Sequence, residues 1–134
     1  MFYENPCIEA VDHWVTVWIG DLDREELRRY LHEPGGALDN EPISEFSRDL
    51  GTWYDHDYIW AEAADQPIAV AALAQQNGIE AGSFLEQLLE RSGAAEVRAL
   101  LVLWNARTTR EEANLANGRL RCLGSWAEEA PLVD

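Results

Sequence analysis

The stretch HWVTVWIG, residues 13–20, decides how this chain folds. It is rich in β-branched and aromatic side chains, which favour strands, and it is apolar at successive positions, as in strands that are covered on both faces. The stretch VRALLVLW, residues 97–104, has the same character. We therefore predict that residues 13–20 and 97–104 are the two central strands of a sheet.

The segments around these strands carry signals for helices and shorter strands. Asp23 with Glu26 three positions later is a capping box, and Pro42 and Gly51 suit the first turn and the end of a short helix. We predict helices at residues 24–33, 41–50, 67–76 and 81–91, strands at 58–63 and 119–126, and a loop with one helical turn at 105–118. The resulting fold class is α/β (α+β), a single small domain over residues 1–134 with a four-stranded mixed sheet and helices packed on it.

Length and composition support one independently folding domain. The chain has 134 residues, of which 47% are hydrophobic and 26% charged, values that argue against intrinsic disorder and against a disulfide-stapled miniprotein. It contains neither a long apolar run nor the layout of a signal peptide, and Cys7 and Cys122 stand far apart in unrelated contexts. We expect two thiols and a cytoplasmic protein.

Charge is the first property that bears on function. Against 25 acidic residues stand 10 basic ones, which gives a formal net charge of −15. This charge repels phosphate backbones and anionic membranes, so we expect neither nucleic acid nor membrane as a partner. Residues 1–65 hold 16 acidic and 4 basic side chains, a charge of −12. This acidic half of the chain forms either a solubilising surface or a face that steers a basic protein partner.

The residues that could do chemistry are few. His56 stands between Asp55 and Asp57, a grouping that could bind a metal or run acid–base chemistry. In an extended segment, however, His56 points away from both carboxylates, and no other His or Cys lies at ligand spacing. Phosphate-binding, nucleophile-elbow and zinc-protease motifs are absent from the sequence. We expect no enzyme, no metal and no cofactor; a small acid–base or metal-dependent hydrolase using these three residues is the alternative.

Aromatic residues alternate with carboxylates just before the third predicted strand. Trp53 and Tyr54 stand among Asp49, Asp55 and Asp57. Trp and Tyr dominate the hot spots of protein interfaces, and carboxylates pair with Arg or Lys of a partner. The segment is therefore either a binding surface or an ordinary half-buried loop.

The same half of the chain carries motifs of a known kind. They are a strand ending in Trp-Ile-Gly at residues 18–20, an acidic helix ending at Tyr30-Leu31, an F-x-x-D-x-G segment, and a Y-D-x-D-aromatic-I-x-E-A-like segment. The last two are matched by Phe46, Asp49 and Gly51, and by Tyr54, Asp55, Asp57, Ile59 and Glu62. In this pattern the chain resembles the immunity protein 22 family of bacterial polymorphic toxin systems. Trp60 departs from the pattern by placing Glu62 one position later.

The resemblance implies a cytosolic antidote that binds the catalytic domain of a secreted toxin. An acidic face would favour fast encounter with a basic toxin. The candidate toxin-binding residues are Asp21, Asp23, Asp49, Trp53, Tyr54, Asp55, Asp57 and Glu62. Asp49 could instead bind backbone N–H groups of a turn, and a chemically inert acidic adaptor or chaperone-like binding module is the other alternative.

Overall fold

Four strands and four helices make up the described part of the chain. The computed structural model describes residues 7–32, 44–51, 58–79, 82–109 and 115–128. The strands are β1 (Ile8–Gly20), β2 (Ile59–Ala69), β3 (Glu96–Thr108) and β4 (Leu120–Ala127). The helices are α1 (Arg24–Leu31), α2 (Glu45–Leu50), α3 (Val70–Gln76) and α4 (Ser83–Ser92). The strands form one sheet in the order β2-β3-β1-β4.

The two apolar strands that the sequence indicated are the central ones. β1 pairs with β3 on one side and with β4 on the other, and β3 also pairs with β2. Val15, Val17 and Ile19 pack in one core with α3 and α4. Trp18 packs in a second core with α1 and α2. Because helices cover both faces of the sheet, successive residues of β1 are buried, as the unbroken apolar run requires.

Local signals fix the ends of α1 and α2. The predicted capping box is confirmed: the Asp23 carboxylate accepts from the Glu26 N–H at 2.8 Å, and the Glu26 carboxylate accepts from the Asp23 N–H at 3.0 Å. The predicted start of the second helix at residue 41 is wrong. Ser44 is extended and caps the helix by accepting from the Ser47 N–H, so α2 begins at Glu45. Its predicted end is confirmed at Gly51, whose φ of 77° suits glycine.

Three strands are longer than predicted. Residues 67–69, predicted as helix, belong to β2, where Ile68 pairs with Val97. Residues 105–108, predicted as loop, belong to β3, and residues 106–108 pair with the start of β1, which begins at Ile8 rather than at residue 13. In both places, hydrogen bonds to a neighbouring strand satisfy the backbone N–H and C=O groups, and this outweighs the local preference for helix or loop. Pro67 is tolerated because β2 is an edge strand.

The strand directions differ from the prediction. A mixed sheet was expected, but all three pairings are antiparallel. Ala69 at the end of β2 pairs with Glu96 at the start of β3, so the two helices between them, α3 and α4, return the chain to the end of the sheet that it left. The four-stranded sheet with helices packed on it is confirmed. Among the described residues, no helix has the length and apolarity needed to cross a membrane.

Phe46 should contribute strongly to stability. It is fully buried and meets Trp18 edge-on, with ring centroids 5.5 Å apart. We expect Phe46→Ala to lower the free energy of unfolding by about 3–5 kcal/mol in urea denaturation. The control is Leu89→Ala on α4, because Leu89 is 54% exposed and its truncation should change stability by only about 0.5 kcal/mol. Equal losses in the two variants would contradict this assignment of the core.

Candidate functional site: the α1–α2 face

Asp49 lies at the centre of a surface made by α1, α2 and the turn at residues 115–119, which we call the α1–α2 face. One carboxylate oxygen, Oδ2, accepts the Tyr30 hydroxyl at 2.6 Å and the Ala116 N–H at 3.0 Å. The other oxygen has no hydrogen bond to the described residues. Neither donor is charged, so no ion pair within the described ranges neutralises Asp49, and the residue is exposed. Asp49 is thus a positioned carboxylate with one oxygen available to a partner.

Tyr30 is a reliable donor to this carboxylate. The residue is 4% exposed, and its ring packs on Phe46. Burial is the main factor that raises the pKa of Tyr30 far above its ordinary value of 10.0, and the hydrogen bond to Asp49 adds to it. The hydroxyl therefore keeps its proton at any physiological pH.

The backbone around Asp49 is held from the other side. The Cys7 N–H donates to the Leu50 carbonyl at 2.7 Å, and the Cys7 thiol donates to the Asp49 carbonyl at 3.6 Å. These bonds attach the end of α2 to the start of β1. Both the side chain and the main chain of Asp49 are therefore fixed by residues distant in sequence.

Acidic residues near the end of β1 are paired with arginines of the second half of the chain. Asp21 Oδ1 accepts from Arg98 Nε at 2.6 Å, and the Glu26 carboxylate accepts from both terminal nitrogens of Arg119, at 2.6 and 2.9 Å. The Arg119 hydrogen bond is the main cause that lowers the pKa of Glu26 from 4.5 to about 2. Gly20 makes this approach possible, since a Cβ there would lie 1.8 Å from the Arg119 carbonyl oxygen.

The predicted residues therefore have different roles. Asp21 is ion-paired and Asp23 caps α1. Asp49 accepts a backbone N–H of a turn, as the alternative to toxin binding had it, and it is also exposed. Glu62 lies on β2 beside a cavity of about 190 Å³ next to α1. Burial raises the pKa of Glu62, and Arg24 partly offsets this. The remaining candidates and the central histidine of their motif lie outside the described residues: Trp53, Tyr54, Asp55, His56 and Asp57.

A small cavity opens beside the Tyr30–Asp49 contact. Its volume is about 210 Å³, below the range of about 300–1,000 Å³ typical of small-molecule sites. The cavity suits a single side chain rather than a larger ligand. It is lined by Leu22, Glu26, Arg29, Tyr30, Glu45, Ala116, Asn117 and Arg119.

Sequence reasoning missed the residues that organise this face. Tyr30 was named only as part of the end of the acidic helix. A buried tyrosine hydroxyl usually needs a hydrogen-bond partner, and this is the signal that could have identified its role. Arg98 and Arg119 carried no signal, because their carboxylate partners are 77 and 93 positions away.

Comparisons with known proteins add no relative. The chain matches no protein-family model, and neither the curated proteins nor the solved structures contain a significant match to it. Within the described ranges, no three His, Cys, Asp or Glu side chains stand close enough to hold a metal ion.

The Glu26–Arg119 pair should make folding stability depend on pH. Because the pKa of Glu26 is lowered in the folded protein, the pair stabilises the fold above about pH 4.5, and this contribution is lost as the pH falls towards 2. We expect Glu26→Gln, which preserves the capping-box hydrogen bond, to remove this part of the pH dependence in urea titrations.

Glu86→Gln on α4 is the matched control. Glu86 is exposed and has no ion pair among the described residues, so its variant should keep the wild-type dependence. Parallel stability curves for wild type and Glu26→Gln between about pH 2 and 4.5 would contradict the role of the pair.

Proposed function

We propose that this protein is an immunity protein that binds and neutralises a cognate toxin domain through the α1–α2 face. The observation that carries the proposal is the positioned, exposed carboxylate of Asp49, which has no arginine partner among the described residues. A carboxylate held in place before binding loses little conformational entropy when it accepts a hydrogen bond from a partner's arginine or lysine.

The surroundings of Asp49 support a basic partner. Glu45, one helical turn earlier, is exposed and has no ion pair within the described part of the chain. The cavity lined by Tyr30 and Glu45 has the volume of a single side chain, as expected where one residue of a partner inserts. The net charge of −15 would speed encounter with a basic toxin through long-range attraction.

The chain order also supports this face as the binding surface. Residues 53–57, with their alternating aromatic and acidic side chains, follow α2 directly and precede β2. Trp53 and Tyr54 would serve as anchors, and Asp55 and Asp57 would pair with basic groups of the toxin. An antidote of this kind works in the cytoplasm of the cell that it protects.

The test uses the toxin domain encoded beside the gene for this chain, with affinity measured by surface plasmon resonance. We expect Glu45→Gln/Asp49→Asn to weaken binding by roughly 2–5 kcal/mol, because charge pairs with the toxin are broken, while the side-chain oxygen that remains at position 49 can still accept from Tyr30 and Ala116. The melting temperature should stay close to that of wild type, as is usual for surface substitutions.

The matched control is Glu86→Gln/Glu90→Gln. Both residues are exposed on α4, on the opposite face of the sheet, and their replacement removes the same two charges. It should leave the affinity nearly unchanged. If the Glu45→Gln/Asp49→Asn variant binds as tightly as wild type, or if the control loses as much affinity, the proposed surface is wrong.

Salt tests the electrostatic part separately. Exposed charges are screened beyond about 8 Å at physiological ionic strength. The association rate with the toxin domain should therefore fall steadily from low salt to near-molar salt, in stopped-flow measurements, while the dissociation rate changes less. A rate that is independent of salt would mean that the acidity only keeps the protein in solution.

A further inference from the structure

Three arginines line one cavity at the end of the sheet where β1 ends and β4 begins. The cavity has a volume of about 580 Å³, and we call it the arginine cavity. Arg98 belongs to β3, Arg121 to β4, and Arg119 stands one residue before β4. Guanidinium groups are the side chains best suited to bind carboxylates and phosphates, because their parallel N–H groups match the spacing of the oxygens.

Two of these arginines have uncommitted N–H groups. Arg119 is occupied, since it binds the Glu26 carboxylate and the Asp21 carbonyl oxygen. Arg98 uses Nε for Asp21, and its two terminal nitrogens make no hydrogen bond to the described residues. Arg121 forms neither a hydrogen bond nor an ion pair within the described ranges. A guanidinium that stays unpaired in a chain with an excess of carboxylates is available to an external anion.

Strand register places Arg98 and Arg121 on one face of the sheet. Ile19 of β1 stands opposite both Arg121 and Leu100, and Arg98 lies two residues from Leu100. Side chains of directly paired residues, and of residues two apart along a strand, share a face. One strand separates β3 from β4, and Arg98 lies two residues along β3 from the position level with Arg121, so the backbones of the two arginines lie roughly 12 Å apart. This separation suits a ligand with two anionic groups better than a single ion.

The electrostatics favour recognition at short range. Asp21 and Glu96 line the same cavity, so the three arginines leave only a small local positive charge. The whole protein repels anions at a distance. Binding must therefore rest on direct bidentate hydrogen bonds within the cavity.

We propose that the arginine cavity binds a small anion with two phosphate or carboxylate groups, held by Arg98 and Arg121. This site faces the α3–α4 side of the sheet and does not depend on the proposed function of the α1–α2 face. Pyrophosphate and succinate are suitable probes, with orthophosphate and acetate as their single-group counterparts.

Isothermal titration calorimetry of the full chain tests the proposal. Pyrophosphate or succinate should bind with a stoichiometry of one, and more tightly than its single-group counterpart; the tighter of the two identifies the preferred group. Arg121→Gln should weaken binding by about ten- to a hundredfold, as expected for the loss of hydrogen bonds between charged groups.

The control is Arg48→Gln, which removes the same charge from an exposed position on α2. It should bind like wild type, and the thermal melts of both variants should confirm folding. The proposal is overturned if neither probe binds saturably, if Arg121→Gln binds as tightly as wild type, or if both variants lose affinity equally, which would indicate general charge screening.

Discussion

The structure depends on burying residues 15–19 of β1 on both faces of the sheet while pairing them on both edges. These residues alternate between two separate cores, one with Trp18 against α1 and α2, the other with Val17 against α3 and α4. A strand without water on either face must satisfy its backbone within the sheet, and β3 and β4 supply these partners. The helices on both sides follow from this one constraint.

The sheet also places arginines of the second half of the chain beside carboxylates of the first half. Along the chain, acidic residues are concentrated in the first half, but β3 and β4 come from the second half and carry arginines to the end of β1. Asp21 and Glu26 are neutralised there by Arg98 and Arg119. The acidic surface without arginine partners is therefore smaller than the linear charge count suggests, and among the described residues it includes the exposed carboxylate of Asp49.

Part of the candidate site could be predicted from sequence. Asp49 was selected as a candidate because it lies in a motif with Phe46 and Gly51, and the capping role of Asp23 followed from its spacing to Glu26. The hydrogen bond from Tyr30 to Asp49 was not predictable. The two residues are 19 positions apart and lie on different helices, and nothing in either local sequence specifies how those helices pack.

The sequence by itself determined the central strands, the capping box of α1 and the glycine end of α2, because apolar runs and capping spacings act within a few residues. Only the tertiary structure decided the antiparallel directions, the extension of β2 and β3, and the pairing of carboxylates with distant arginines. These features arise from hydrogen bonds and charges between segments far apart in the chain. The local sequence cannot specify such contacts, because their partners come together only when the sheet forms.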